Sequence, residues 1–131
     1  MKSFITTLVF AFVFPLQGMA QQQPEFNPAA IKEYYLLLLK AGPTRNQDSA
    51  TVAKIQTGHL DHLKRLYETG KICLVGPVDG SDDLRGICVF LTATKEEAID
   101  LASQDPAVVS GRLRPEILSW YTVPGGYLPE K

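Results

Sequence analysis

A histidine at the centre of an apolar helix face is the most chemically informative residue of this sequence. Positions 48–70 fit one amphipathic helix, in which Val52, Ile55, Leu63 and Leu66 form a single stripe at about 100° per residue. His59 lies at the centre of that stripe, so the helix presents an imidazole to the protein core. A buried polar ring is destabilising unless it finds a hydrogen-bonding partner. With such a partner, an imidazole can transfer protons near neutral pH.

Asp105 is the carboxylate best placed to be that partner. It follows Ala98 by seven residues on the apolar side of a second predicted helix, and it directly precedes Pro106. A carboxylate beside an imidazole fixes the tautomer of the ring and makes the pair a candidate general base or acid. Two other interpretations stay open. The pair could be a purely structural hydrogen bond, or Asp105 could only cap the turn at Pro106.

His62 is the competing histidine. It lies about 60° from the centre of the stripe, so we expect it at the edge, partly exposed and less suited to a site. His59 and His62 have a spacing that a metal ion could use, but no third ligand is evident nearby. The sequence therefore predicts no metal site.

Two further groups of charged residues are candidates for ligand binding. Asp79, Asp82 and Asp83 lack the spacing of a calcium-binding loop, and their position beside a glycine predicts a solvated turn. Three arginines are expected near one edge of the sheet and could hold an anionic ligand there, with ordinary surface charge as the alternative. These arginines are Arg85, Arg112 and Arg114.

The elements that must position these residues alternate between strands and helices. Strands are predicted at Glu33–Lys40, Lys71–Val75, Gly86–Thr92 and Ile117–Val123. One helix covers 48–70, and a second opens at a Thr94-x-x-Glu97 capping box and ends before Pro106, with a further short turn at Val108-Val109. This β-α-β-β-α-β order is that of the ferredoxin-like α+β fold, an antiparallel sheet with both helices on one face. We expect a pocket between the helices and the sheet, closed by the Val78–Leu84 loop.

The first strand is apolar on both of its faces. One face carries Tyr34, Leu36 and Leu38, and the other carries Tyr35, Leu37 and Leu39. Helices can cover only one face in a domain of this size, so the other face is predicted to pack against a second subunit in a homodimer. Trp120 of the last strand is accordingly expected in the core or in the dimer interface.

Cys73 and Cys88 are the two cysteines of the chain. Both fall in predicted strands, roughly symmetric about a turn centred near Gly80-Ser81, so they could lie opposite each other in a hairpin. A cross-strand disulfide and two buried thiols are the alternatives.

The ends of the sequence predict an exported protein. Met1–Ala20 has the layout of a secretory signal peptide, with Lys2, an apolar run and a small-x-small cleavage site near Ala20. A polar leader (21–31), one domain (32–124) and a tail (125–131) follow, and the destination is the periplasm or the extracellular space. The net charge of −1 has both signs interspersed, which argues against a nucleic-acid partner. Once the signal is removed, no other segment predicts a membrane partner.

Motifs spread over 33–123 resemble the YciI-like, or YCII-related domain, family. The first is Gly-His-Leu-Asp-His-Leu-Lys-Arg-Leu-Tyr-Glu-Thr-Gly-Lys, which runs through His59 to Lys71 and on to Val75-Gly76-Pro77. The second is Arg85-Gly86-Ile87. The third is Glu97-Ala98 followed by Asp105-Pro106-Ala107-Val108 and then Gly111. Together the three are specific.

The resemblance implies a dimeric ferredoxin-like fold with a histidine and an aspartate in the active site. These residues correspond to His59 and Asp105 here. A related member is a dehydrochlorinase that acts on a chlorinated hydroquinone, and muconolactone isomerase-like proteins share the fold. The resemblance therefore implies cofactor-free elimination or isomerisation of a small cyclic or phenolic substrate. The predicted signal peptide and leader depart from the family pattern. The alternative is a non-catalytic dimer that binds a small ligand or serves a structural role.

Overall fold

Long apolar strands and two amphipathic helices give this chain an α+β architecture. The structure, a computed structural model, describes residues 25–126 and 128, of which Phe26–Pro124 form a compact unit. The elements in chain order are a 3-10 turn at Pro28–Ala30, β1 (Lys32–Ala41), α1 (Ser49–Glu68), β2 (Ile72–Pro77), β3 (Leu84–Phe90), α2 (Lys95–Ser103), α3 (Pro106–Val109) and β4 (Leu113–Thr122). The predicted signal peptide, Met1–Ala20, lies outside the described residues. Within them, no helix is long and apolar enough to cross a membrane.

The four strands form one antiparallel sheet in the order β2-β3-β1-β4. The predicted α+β class is confirmed. Strand β1 is central and pairs along its whole length with β4, from Lys32 opposite Thr122 to Ala41 opposite Leu113. Strand β4 therefore begins four residues earlier than predicted. Pro115 within it is tolerated because β4 is an edge strand.

Local sequence signals set the boundaries of the helices. Asp48 caps α1, because its side chain accepts a hydrogen bond from the Thr51 backbone N–H at 2.9 Å. After α1, the chain reverses at Gly70, whose φ of 69° favours glycine. Thr94 caps α2 by accepting from the Glu97 N–H at 3.2 Å, as the capping box predicts.

One face of the sheet carries the hydrophobic core. Tyr35, Leu37 and Leu39 of β1 point to this face, and residues of both helices pack on it. The buried members from the other elements are Leu66, Ile72, Cys88, Phe90, Ala98 and Ala102. Strand alternation therefore places the helices on one side, as predicted.

The opposite face of the sheet is apolar and uncovered in the single chain. Leu118 and Trp120 of β4 are 40% and 38% exposed, beside the half-buried Leu36 and Tyr34 of β1. Of the two alternatives for Trp120, core or dimer interface, the structure excludes the core position. Its side chain points away from the helices because it alternates with core-facing positions of β4. The interface interpretation stays a prediction.

The two cysteines are free thiols and do not face each other. The β2–β3 pairing places Val75 opposite Cys88, while Cys73 falls in an irregularity between Ile72 and Leu74. The predicted cross-strand arrangement is wrong because the hairpin register next to the turn, with Pro77 opposite Gly86, already places Val75 and not Cys73 opposite Cys88. The two-buried-thiols alternative fails because Cys73 is exposed. Cys88 is fully buried, and this desolvation raises the pKa of its thiol to about 12.

Candidate functional site

His59 and Asp105 meet between α1 and the start of α3. His59 Nδ1 lies 2.6 Å from Asp105 Oδ2, and the side chains are 12% and 3% exposed. A separation this short is typical of a charge-assisted hydrogen bond. The structure thus brings together the two residues that the sequence singled out.

The carboxylate of Asp105 serves two partners at once. Its Oδ1 accepts a hydrogen bond from the Ala107 backbone N–H at 2.8 Å and so caps α3, while Oδ2 binds His59. The capping interpretation and the pairing interpretation are therefore both part of one geometry. The cap fixes the orientation of the carboxylate, which in turn orients the imidazole.

A glycine lets the two elements approach closely. A Cβ added at Gly58 would lie 3.0 Å from Cγ of Pro106. Gly58 precedes His59, and Pro106 follows Asp105, so this contact lies beside the hydrogen-bonded pair. The absence of a side chain at Gly58 allows the 2.6 Å separation to form.

The hydrogen bond also assigns the tautomer of His59. The carboxylate of Asp105 accepts, so Nδ1 of His59 donates. In the neutral ring, Nε2 then carries the lone pair. Among the described residues no protein group hydrogen-bonds this nitrogen, and His59 lines a cleft. Nε2 is therefore the atom that a ligand in the cleft can meet.

His62, by contrast, is a buried structural residue. It is 3% exposed, its Nε2 donates to the Leu101 carbonyl at 3.0 Å, and its Nδ1 accepts from Arg65 Nη2 at 3.1 Å. The expectation of partial exposure is wrong, because the end of α2 covers this flank of α1. Both ring nitrogens are occupied, which leaves none for a ligand or metal. The described residues contain no cluster of three metal-ligating side chains.

The cleft beside His59 has a volume of about 660 Å³. This lies within the range of about 300–1,000 Å³ that is typical of small-molecule sites. Helix α1 supplies one wall and the sheet supplies the other. The apolar lining residues include Leu39, Ile55, Leu60, Leu63, Tyr67, Val75, Ile87 and Leu113. Residues on either side of the Val78–Leu84 loop line the cleft, whereas the loop itself contributes nothing to the wall.

Residues 33–120 match the sequence profile of the YCII-related domain. The match covers more than half of the chain and includes both His59 and Asp105. The chain belongs to the YCII-related domain family. No protein of curated function is significantly similar in sequence.

Solved structures resemble this YCII-related chain at low sequence identity. A muconolactone isomerase is 14% identical with a TM-score of 0.57, over 74% of this chain and 97% of that chain. A 5-chloro-2-hydroxyhydroquinone dehydrochlorinase from Burkholderia phenoliruptrix, in complex with 2,5-dihydroxybenzoquinone, is 22% identical with a TM-score of 0.46. That second match covers 65% of this chain and 92% of the other. At such identities the isomerase supports the shared fold alone.

Only two of the three arginines that were predicted to bind an anion lie at the cleft of this YCII-related domain. Arg85 and Arg112 line the cleft, but Arg114 lies outside it and pairs with Asp83 at 3.5 Å. The sequence reasoning missed Arg45, which also lines the cleft and whose only signal was its position just after the first strand. In the acidic turn, Asp79 accepts a hydrogen bond from the next backbone N–H at 2.8 Å, which is typical of a solvated turn.

Proposed function

We propose that this protein is a small enzyme that moves a proton on a carbon substrate, with His59 as general base and acid. The observation that carries the proposal is the His59–Asp105 pair at 2.6 Å in the wall of a 660 Å³ cleft. Asp105 would be a positioning residue. It holds Nδ1–H and stabilises the positive ring that forms when Nε2 takes up a proton.

The reaction class needs no cofactor. In an isomerisation, Nε2 removes a proton from a carbon beside a carbonyl and returns it to another carbon of the same substrate. In an elimination, Nε2 removes the proton and the electron pair of the C–H bond expels a leaving group such as chloride. Electrons and atoms balance in both cases without an oxidant or reductant. The burial of Asp105, which is 3% exposed, strengthens its electrostatic support of the His59 ring.

The family resemblance directs the choice of substrates. Muconolactone isomerase and the dehydrochlorinase act on small ring compounds, and we extend that class to this chain as part of the proposal. The assembly is proposed to be a ferredoxin-like homodimer joined through the uncovered sheet face. Export after cleavage near Ala20 is proposed from the sequence of the first twenty residues alone.

Deuterium exchange tests the chemistry before the natural substrate is known. Small lactones and hydroxylated aromatic compounds would be incubated with the protein in D2O, and incorporation of deuterium at carbon would be followed by NMR. We expect protein-dependent exchange that falls about 10²-fold or more in His59→Gln, since general acid–base catalysis contributes at least that factor. Asp105→Asn should lower the rate as well.

Asp61→Asn is the matched control, because Asp61 is an exposed carboxylate on the same helix. It should exchange at the wild-type rate. Full activity of His59→Gln on a compound that the wild type exchanges would refute the proposal.

A non-catalytic binding role is the second candidate, and the capping of α3 by Asp105 favours it. In that case the His59–Asp105 pair only specifies the packing of α1 on α3. Ligands would bind in the cleft, and neither the wild type nor His59→Gln would exchange any compound of the panel.

A further inference from the structure

The wall of the cleft is basic. Four cations line it, and among the described residues that line it there is no aspartate or glutamate. The four cations are Arg45, Lys64, Arg85 and Arg112. The chain as a whole has a net charge of −1. Positive charge is thus concentrated at this cleft, although it is in slight deficit over the molecule.

Three of these cations contact neutral groups only, within the part of the chain that the structure describes. Arg45 Nη1 donates to the Arg112 carbonyl at 3.1 Å, and Arg112 Nη1 donates to Gln47 Oε1 at 3.2 Å. Arg85 donates to the carbonyls of Ser81 and Asp82 at 3.3 and 3.0 Å. Such contacts orient a guanidinium without neutralising it. Each group has five N–H donors, so most remain available to a ligand.

Several other cations of the fold are paired with carboxylates. Arg114 pairs with Asp83, Lys40 with Glu116 and Lys71 with Glu97. Lys64 at the rim of the cleft is within 3.8 Å of Glu68. These ion pairs contrast with the three arginines of the cleft wall, although Arg65 on the outer side of α1 also contacts only a neutral group, the ring of His62.

Close backbone packing fixes the segments that carry two of the arginines. Gly42 N–H donates to the Arg112 carbonyl at 2.9 Å, and Thr44 N–H donates to the Gly111 carbonyl at 3.0 Å. A Cβ at Gly42 would overlap the Gly111 carbonyl oxygen. The β1–α1 loop and the start of β4 are thereby held together, so Arg45 and Arg112 approach the cleft from a preorganised support.

We propose that the substrate of this cleft is a small organic carboxylate, which Arg45, Arg85 and Arg112 bind through its anionic group. The inference rests on the proposed acid–base function of His59 and names its substrate class. Guanidinium groups match carboxylates in shape and can bind them through two parallel hydrogen bonds. The hydrocarbon part of the substrate packs on the apolar wall formed by Ile55, Leu63 and Tyr67.

The basic wall also suits the chemistry. Removal of a proton from carbon creates negative charge on a substrate that already carries one. Arginines fixed beside the reacting molecule oppose the repulsion between those charges and stabilise the charge that develops.

Binding of benzoate and benzamide to the purified full-length chain tests the proposal. The two probes have nearly the same shape, but only benzoate is charged. By NMR titration we expect millimolar binding of benzoate and at least tenfold weaker binding of benzamide. Arg45→Gln and Arg112→Gln should each weaken benzoate binding about tenfold, because a hydrogen bond to a charged group contributes at least that factor.

Arg114→Gln is the matched control, because it removes the same charge outside the cleft and should leave benzoate affinity unchanged. Equal binding of benzamide and benzoate would overturn the proposal, as would equal losses in Arg114→Gln and Arg112→Gln or no binding of benzoate. Failed deuterium exchange with intact benzoate binding refutes only the acid–base function, whereas exchange of neutral lactones without benzoate binding refutes only the anion site.

Discussion

At the scale of single residues, the site depends on the two different hydrogen bonds that the carboxylate oxygens of Asp105 accept. One oxygen caps α3 through the Ala107 N–H, and the other binds His59. A carboxylate that is 3% exposed would be strongly destabilising without such partners. The same contacts that satisfy the buried charge also hold the imidazole in one tautomer. Asp105 therefore contributes to the stability of the fold and to the orientation of His59 at the same time.

Gly58→Ala tests whether the close approach of α1 and α3 matters for catalysis. The added Cβ would lie 3.0 Å from Pro106 Cγ, so one of the two elements must shift by a few tenths of an ångström. Alanine in a helix is favoured over glycine by about 1 kcal/mol, which offsets the strain. We expect nearly unchanged thermal stability, but a weakened His59–Asp105 bond and at least a tenfold slower exchange reaction, since small displacements of catalytic groups are costly.

NMR of the His59 Nδ1–H provides the readout that does not depend on activity. In the wild type this proton should be protected from exchange with water by Asp105, and in Gly58→Ala the protection should fall. Thr57→Ala is the control, because Thr57 is exposed on the same helix and its substitution also raises helix propensity. Full protection in Gly58→Ala would show that the contact with Pro106 is unimportant.

Helical periodicity was sufficient to find His59 and Asp105 but not to place His62. A stripe of apolar residues predicts which side of α1 faces the sheet, and His59 lies on it. His62 is buried against the Leu101 carbonyl and Arg65, and the first of these lies 39 residues away along the chain. The periodicity of α1 alone could not predict that a backbone carbonyl of α2 would bind and bury the His62 ring.

At the scale of elements, a lysine ties the start of β2 to the start of α2. Lys71 Nζ lies 2.7 Å from Glu97 Oε1, while Glu97 Oε2 accepts from the Ala93 N–H at 3.3 Å. The hydrogen bond from Lys71 holds the pKa of Glu97 below its usual range. Both side chains are more than a third exposed, so the contribution to stability is modest.

Lys71→Gln should therefore lower stability at neutral pH more than in acid. A carboxyl whose folded-state pKa is lowered stabilises the fold above its unfolded pKa of about 4.3, and this contribution is lost as the pH falls through the folded pKa. Urea unfolding at pH 7 and pH 3 would measure the effect. Lys54→Gln on the exposed side of α1 is the control. An equal difference from the wild type at both pH values would contradict the assignment.

The order of the elements was predictable, whereas their edges and registers were less so. Turn residues and capping signals identified the four strands and two helices. The position of the β2–β3 turn sets a register that places Val75 opposite Cys88, and the sequence symmetry about Gly80-Ser81 did not predict that register. Strand β4 extends back to Leu113 because β1 pairs with it over ten positions, which its own sequence around Pro115 does not suggest.

At the scale of the whole molecule, the basic cleft combines segments that are distant in sequence. Arg45 follows β1, Arg85 lies in β3, and Arg112 precedes β4. Their convergence depends on the sheet order β2-β3-β1-β4 and on the contact of Gly42 with Gly111. The sequence could therefore suggest anion binding near a sheet edge, but it could not select these three arginines or exclude Arg114.

The uncovered face of the sheet carries the last prediction. Leu118 and Trp120 are about two-fifths exposed there and lie beside Tyr34 and Leu36 of the central strand. A stable interface removes about 800 Å² of surface from each partner, and the apolar face of a four-stranded sheet can supply such an area.

We expect sedimentation equilibrium to give a dimer for the wild type. Leu118→Glu should give a folded monomer, because it would place an unpaired charge in the apolar interface. Thr57→Glu, on the exposed side of α1, should remain dimeric. A monomeric wild type, or a Leu118→Glu variant that still dimerises, would show that this face does not join two subunits.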